Sequence, residues 1–379
     1  MTTGASRRRS GPRRILVTGG LGFIGFHLSE ALLAAYPGCH LTIVDNLSST
    51  RLDYRSLVGR AEIHVGDLRD FAPGEARFDE IYHLASPVGS LGILDHHGLV
   101  ASDILELARA ASTLASSAGA DLLYLSSSEV YGRDGQHDET ADLVVPDRRG
   151  TRMEYALGKL TAEHVLANLA DIGGHRLRTV RPFNVVGPWQ SESLGFVFPA
   201  FFEAALSGAD LLVHGNGSQT RSFCHVDDLV SGLIAVQAHG RPGSLYNVGN
   251  PGNRTSILDL AHRIVALCGS SSAVRTIDPR TRYGEHYLEA YNKMPAIERV
   301  TRDTGWRPRK ALSTILDDLR EFHHAAPAPA TAASVHHASS APATAAGVHH
   351  AAPASATAAG AGDEPAAPEI AANAGCEYA

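Results

Sequence analysis

An α/β fold built on a doubly wound parallel sheet, completed by a smaller C-terminal lobe, is predicted for this chain. Three observations predict it. Short apolar runs alternate with stretches of helical periodicity through the first half of the sequence. A glycine-rich turn joins the first apolar run to the first helical stretch, and a carboxylate closes the second run.

The elements run in order. Residues 15–17 (Ile-Leu-Val) read as a short buried strand, and residues 27–35 carry helical apolar spacing. Residues 41–44 form a second strand and 61–65 a third. Residues 81–84 and 122–125 are further buried strands, with helical segments at 102–117 and 153–166. Beyond about Gly187 the pattern loosens. Residues 196–206 look helical, 257–267 are amphipathic, and 245–248 are expected to rejoin the sheet. A domain over 13–186 is therefore expected, followed by a lobe over 187–322 interleaved with it.

Composition narrows the partners. The 379 residues are 44% hydrophobic, enough for a sizeable core. Lys and Arg total 33 against 40 acidic residues, a net charge of -7. That balance argues against nucleic acid, whose phosphates select basic surfaces. The basic opening, Arg7 to Arg9 with Arg13 and Arg14, reads as a flexible arm over residues 1–12. Cys39, Cys224, Cys268 and Cys376 lack metal-ligand spacing, so no metal and no disulfide framework is expected. No apolar run approaches the ~18 residues of a membrane span, and no secretion signal opens the chain. The expected location is the cytoplasm, away from membranes. From His323 the composition changes. His pairs at 323, 336 and 349 recur every thirteen residues in a background of Ala, Pro, Ser and Thr. Such a segment cannot offset its ordering entropy, so residues 323–379 are expected to be a disordered tail. The pairs invite a metal, but no Cys or carboxylate cage accompanies them.

The glycine-rich turn runs Thr18-Gly19-Gly20-Leu21-Gly22-Phe23-Ile24-Gly25. Glycines at 19, 22 and 25 permit a tight turn and close approach of backbone to a pyrophosphate, which the following helix N-terminus attracts. Asp45 ends the second strand, 20 residues after Gly25. A carboxylate there accepts from the adenosine ribose and repels a 2′-phosphate, which favours NAD over NADP. Read without a ligand, it caps the turn that Asn46 begins. Asp67 is placed either to contact adenine or to cap its own turn.

Tyr155 and Lys159 lie four positions apart, on one face of a helix. A phenol with an ordinary pKa near 10 is a poor base. A neighbouring ammonium and a cationic nicotinamide are expected to lower it, with Lys159 also holding the ribose. The run Ser126-Ser127-Ser128-Glu129-Val130-Tyr131-Gly132 comes directly after a buried strand, at the sheet edge where such folds bind ligands. A hydroxyl there is placed to bond the substrate oxygen and the phenol.

These residues resemble the extended short-chain dehydrogenase/reductase family, in its nucleotide-sugar epimerase/dehydratase branch. The resemblance spans roughly residues 14–319. It includes 18–25, 45–48, 66–68, 83–87, 126–132, 155–159, 181–184, 217–223, 225–229, 247–250 and 305–308. It implies a Rossmann sheet of about seven strands, NAD as cofactor, a nucleotide-sugar substrate held mainly by the C-terminal lobe, and a homodimer. The dimer contact implied is a helix bundle including residues 102–117 and the Tyr155 helix. By resemblance Tyr155 is the base, Lys159 its partner, Ser127 the positioned hydroxyl and Glu129 a further catalytic group. Gly19, Gly22, Phe23, Ile24, Gly25, Asp45, Asn46, Asp67, Leu68, Leu84 and Ala85 are placed around the cofactor. Ser86, Ser127, Ser128, Asn184, Arg221 and Lys293 are placed around the substrate. Arg221 suits a diphosphate because a guanidinium forks onto two oxygens.

The implied chemistry starts with oxidation at sugar C4. Glu129 bears on the second step, because a plain 4-epimerase needs no carboxylate there. Ser128 stands where glucose-type 4,6-dehydratases place an Asp. The Ser-Ser-Glu run is similar to UDP-glucuronate decarboxylases and to mannose-type dehydratases. Decarboxylases carry Arg-Lys-Pro late in the chain, where this one has Lys293-Met294-Pro295, a point charge in place of a fork. A dehydratase or epimerase, a UDP-glucuronate decarboxylase and a UDP-glucose 4-epimerase therefore all stay open. Outside these, a non-catalytic NAD sensor is disfavoured by the retained Tyr-Lys pair. A reductase of small carbonyls is disfavoured by Asp45.

Overall fold

The computed structural model describes residues 11–50, 53–89, 93, 96–132, 135–143, 145, 151–191, 194–280 and 292–325. The expected arm, up to residue 10, and the expected tail, from residue 326, lie outside the described residues.

In chain order the elements begin with β1 (Arg14–Thr18), α1 (Phe23–Ala35), β2 (His40–Asp45), β3 (Glu62–Val65) and β4 (Glu80–His83). Then come α2 (Val100–Ala118), β5 (Asp121–Leu125), β6 (Gly135–His137), α3 (Thr151–Gly173), β7 (Leu177–Pro182) and β8 (Val185–Val186). Next are α4 (Val197–Ser207), β9 (Leu211–His214), β10 (Thr220–Ser222), β11 (Cys224–His225), α5 (Val226–His239) and β12 (Leu245–Val248). The last are β13 (Arg254–Ser256), α6 (Ile257–Cys268), β14 (Val274–Ile277), β15 (Asn292–Pro295) and two helices, Glu298–Thr304 and Leu312–Ala325.

Seven strands make one sheet in the order β12-β7-β5-β4-β1-β2-β3, and every pairing in it is parallel. The order reverses at β1, whose neighbours are β2 and β4. That is the switch point where open α/β sheets bind ligands. Alternation along the strands feeds two cores. Ile15, Val17, Leu123 and Leu125 pack with α1 and α5, while Leu16, Leu122 and Tyr124 pack with α2 and α3. A third core joins α4, α6 and the helix Leu312–Ala325, around Phe198, Phe202, Leu260 and Ile315. A four-stranded sheet, β13-β10-β15-β6, brings residues of the last third of the chain beside those that come after β5.

Among the elements that escaped the periodicity, two show why. β7 reads Leu-Arg-Thr-Val-Arg-Pro, and its two arginines hide an otherwise apolar strand. Both are buried because each has an acid: Arg178 pairs with Asp121 and Arg181 with Glu163. α5 opens on Asp227 and Asp228 after the capping residue His225, and carries Gly232 where the Trp306 ring packs against the backbone. The third strand, β3, is the sheet edge, and Val65 is exposed. The expected tail starts three residues early. His323 and His324 close the last helix, and His323 stacks on Phe202 with ring centroids 5.2 Å apart. Among the described residues no helix is long and apolar enough to cross a membrane, and no cluster suits a metal ion.

Candidate active site

The glycine turn sits at the carboxyl end of β1. Gly19 has φ +70, and a Cβ there would fall 2.8 Å from the Ala85 amide nitrogen. Gly25 has no room for a side chain, since a Cβ would overlap the Gly19 carbonyl oxygen. Gly22 is different. It caps α1, and a Cβ there would meet nothing nearer than 3.5 Å. No side chain caps this helix start and no acid lies in its first turn. The turn is thus a cradle of backbone amides at a positive helix end, which fits the pyrophosphate of NAD.

Asp45 is buried and anchors this turn. One of its oxygens accepts from the Leu21 amide at 2.9 Å and the other from the Leu47 amide at 2.8 Å. The cap reading of Asp45 is therefore present in the fold, and a ribose would share a carboxylate already held rigid. Asn46 bonds the Ser48 amide. Asp67 caps its own turn through the Arg69 amide and pairs with the Arg69 guanidinium. Leu68 and Leu84 are buried, and Ala85 backs onto Gly19. Ser86 bonds the Pro87 carbonyl oxygen.

The serine run leaves β5 and turns at once. Ser127 caps a short 3-10 helix, Ser128–Tyr131, by accepting from the Glu129 amide, and Gly132 ends it with φ +66. The Ser127 hydroxyl also lies near enough to the Tyr155 phenol to favour its ionised form. Lys159, one turn along α3, is buried and donates to the Leu125 carbonyl at 2.9 Å. Its ammonium lies 5.9 Å from the Tyr155 ring centroid.

The expected lowering of the phenol pKa does not arise from the protein's own groups. Burial pushes Tyr155 up to about 12; Ser127 opposes this, and the nearby Glu129 charge adds to it. Lys159 is itself pushed down to about 7 by burial, with Glu163 opposing. The two shifts share one cause, desolvation of the charged forms.

Glu129 is a quarter exposed and gripped by two cations. Arg152 forks onto it with contacts of 2.9 and 3.1 Å, and Lys293 donates to it at 2.5 Å. Burial alone would raise its pKa. Arg152 and then Lys293 outweigh that and hold it well below the ordinary carboxylate range. Lys293 reaches it from β15, where it sits in register with Arg221 on β10. Lys293 is almost wholly buried, and its ammonium meets the Glu129 carboxylate. Arg221 is buried and donates to the Thr220 carbonyl. Asn184 bonds the Ser222 carbonyl oxygen from a backbone with φ +37. Ser128 is buried within the 3-10 turn.

Comparison with known proteins matches this arrangement. The model of the NAD dependent epimerase/dehydratase family matches residues 15–249, more than half of the chain. The chain belongs to that family. It is 33% identical over 307 residues to UDP-glucuronic acid decarboxylase 1 of Xenopus tropicalis, covering 78% of this chain and 68% of that protein. It is 30% identical to UDP-N-acetyl-alpha-D-glucosaminuronate decarboxylase of Bacillus cytotoxicus, over 78% of this chain and 93% of the relative. Among solved structures, dTDP-glucose 4,6-dehydratase DesIV of Streptomyces venezuelae, crystallised with NAD, superposes with a TM-score of 0.72 at 26% identity. The superposition covers 82% of this chain and 97% of DesIV.

As a member of this family the protein is an NAD-dependent enzyme of nucleotide-sugars. Two of its site groups were missed in the sequence. Arg152 lies three residues before Tyr155, on the same helical face, and that spacing was its only signal. Glu163 lies four residues after Lys159, one turn further along the face, and joins Arg181 and Ser126 behind the site.

Proposed function

We propose that the enzyme decarboxylates a UDP-linked hexuronate through a 4-keto intermediate. The observation that carries this reading is the charge around Glu129. Arg152 and Lys293 share one carboxylate, with Arg221 on the neighbouring strand. Among the described residues three cations gather near this one carboxylate, a setting that suits a substrate with charge on both its diphosphate and its sugar. The named decarboxylase relatives point the same way.

Bound NAD supplies the hydride acceptor for sugar C4 and a positive ring beside the site. Tyr155, beside Ser127, takes the C4 hydroxyl proton. Because burial holds the phenol protonated among the chain's own groups, the positive ring of bound NAD would be what favours the phenolate. The C4 ketone lies β to the C6 carboxylate. The C5–C6 bond breaks, its electrons pass to the C4 oxygen, and carbon dioxide leaves. The enolate collects a proton at C5. With NAD bound, return of the hydride to C4 would accompany return of the Tyr155 proton to the C4 oxygen and complete the cycle. Arg152 and Lys293 hold Glu129 ionised on the substrate side. By charge and placement Arg221 and Asn184 serve the diphosphate, and residues 187–322 form most of the nucleotide-sugar lobe.

A second reading, loss of water or epimerisation at C5, draws on the same Glu129 carboxylate as proton acceptor. A carboxylate pulled well below its usual pKa is a weak base, which favours the first reading. Purified enzyme incubated with a panel of nucleotide-sugars distinguishes them by product mass. UDP-glucuronate losing carbon dioxide supports the proposal. Loss of water, or unchanged mass with an altered sugar, supports the second reading. We also propose a homodimer through α2 and α3, which sedimentation at micromolar concentration tests.

A further inference from the structure

Behind the Tyr155–Lys159 pair lies a second charged cluster that the chemistry above does not use. Residues 155, 159 and 163 recur at four-residue spacing on one face of α3. Glu163 is buried, and its side chain is fixed from three directions. Arg181 of β7 forks onto it with contacts of 2.9 and 2.6 Å, and the Ser126 hydroxyl donates at 2.5 Å. The Tyr131 ring covers the Arg181 guanidinium at 4.7 Å. On the other side of Lys159 stands Tyr124 of β5, with the ammonium 5.1 Å from its ring centroid. The Tyr124 hydroxyl is fully buried and has no hydrogen-bond partner, so this tyrosine brings no polar contact of its own to the site. Its aromatic face is what it offers the cation.

We propose that Glu163 is a positioning residue for C4 oxidation: with the face of Tyr124, it keeps the Lys159 ammonium charged and aimed inside a buried site. This rests on the proposed use of Tyr155 and Lys159, and it concerns how the lysine stays a cation there.

The energetics favour such a device. A lone ammonium buried in an apolar core sheds its proton. The surroundings of Lys159 are the Leu125 carbonyl, the Tyr124 ring, Tyr155, the His83 ring from β4 and Glu163. Among these only Glu163 carries negative charge. His83 is held neutral, pushed down to about 3 by burial and by Lys159 itself. Arg181 is committed to Glu163 and Tyr131. The carboxylate does not touch Lys159, so its influence is a through-space charge that its rigid anchoring preserves.

The test is a lysine titration. The chain contains only Lys159, Lys293 and Lys310, so ¹³C-labelled lysine gives three NMR signals. Lys159→Met assigns the one that matters. In the NAD-saturated enzyme, Glu163→Gln should lower the Lys159 pKa by about one unit or more, and Tyr124→Leu by about half a unit. Tyr124→Phe keeps the ring and should restore the wild-type value. The alkaline limb of kcat should move down by the same amounts. Should Glu163→Gln fail to fold, Tyr124→Leu against Tyr124→Phe decides the matter. A folded variant with an unmoved Lys159 titration overturns the proposal. The titration needs no turnover, so it stands apart from the choice of substrate: a silent enzyme with the predicted shifts would indict the substrate reading alone.

Discussion

Two carboxylates flank the Tyr155–Lys159 pair, and each is held by an arginine fork, yet they are built for different work. Glu129 is a quarter exposed and has a second cation in Lys293. Glu163 is nearly sealed, stands behind Lys159, and has a serine hydroxyl in place of the second cation. The first cluster sets two cations on one partly exposed carboxylate. The second is closed, with Arg181 anchoring Glu163 under the Tyr131 ring. The role of an ion pair is thus set by its exposure and its surroundings, not by its residue types.

The two clusters should therefore fail in different ways when a member is removed. The largest stability effect is expected for Arg181→Met, which strands Glu163 without its cation in the core and should cost about 3–5 kcal/mol in denaturant unfolding. Arg152→Met exposes its partner to solvent and to Lys293, and should cost under about 1 kcal/mol. Its loss should appear in turnover instead. If Glu129 takes the C5 proton, Glu129→Gln should cut turnover by about 10²- to 10⁴-fold and leave a keto-sugar detectable by mass; a decarboxylase, in which it only anchors Arg152 and Lys293, should lose far less. A plain 4-epimerase would be spared by the same change.

A pH series separates the clusters further. The Lys159 pKa of about 7 lies below its ordinary 10.5. Between those values the unfolded chain binds a proton that the folded chain has lost, so this group makes stability rise with pH across that window. Below it the full cost of the buried charge remains. Lys159→Met should therefore raise Tm most at about pH 6, with the gain fading towards about pH 10. Glu129 has the opposite sign of contribution. Its depressed pKa adds stability above the ordinary carboxylate range, lost as pH falls through the folded value. The smallest effect is expected for Tyr124→Phe, which removes a hydroxyl with no partner and should be neutral or slightly stabilising in the same unfolding assay.

Much of the fold was legible because apolar runs and glycines act locally. Gly19 and Gly25 are required by contacts within their own turn and with the loop after β4, and their spacing is visible in the chain. β7 was not legible, since Arg178 and Arg181 look like surface residues until the acids that bury them are known. The same limit hid half of the site. Tyr155, Lys159 and Ser127 announce themselves by spacing and by their place after β5. Lys293 meets Glu129 only because β15 pairs with β6 and β10, a contact across more than 150 residues that no local pattern encodes. By resemblance Lys293 is placed at the substrate. In the fold its ammonium meets Glu129. Burial is a property of the whole fold, and among the chain's own groups it is what sets the Tyr155 phenol high.

If sugar C4 is oxidised and then reduced again within one site, with Tyr155 moving the proton, the hydrogen on C4 never reaches solvent. UDP-glucuronate carrying deuterium at C4 makes that visible. The product should have lost carbon dioxide and kept the deuterium at C4, and Tyr155→Phe should form none of it while still binding NAD. Deuterium exchanged into solvent, or full turnover by Tyr155→Phe, would refute the mechanism.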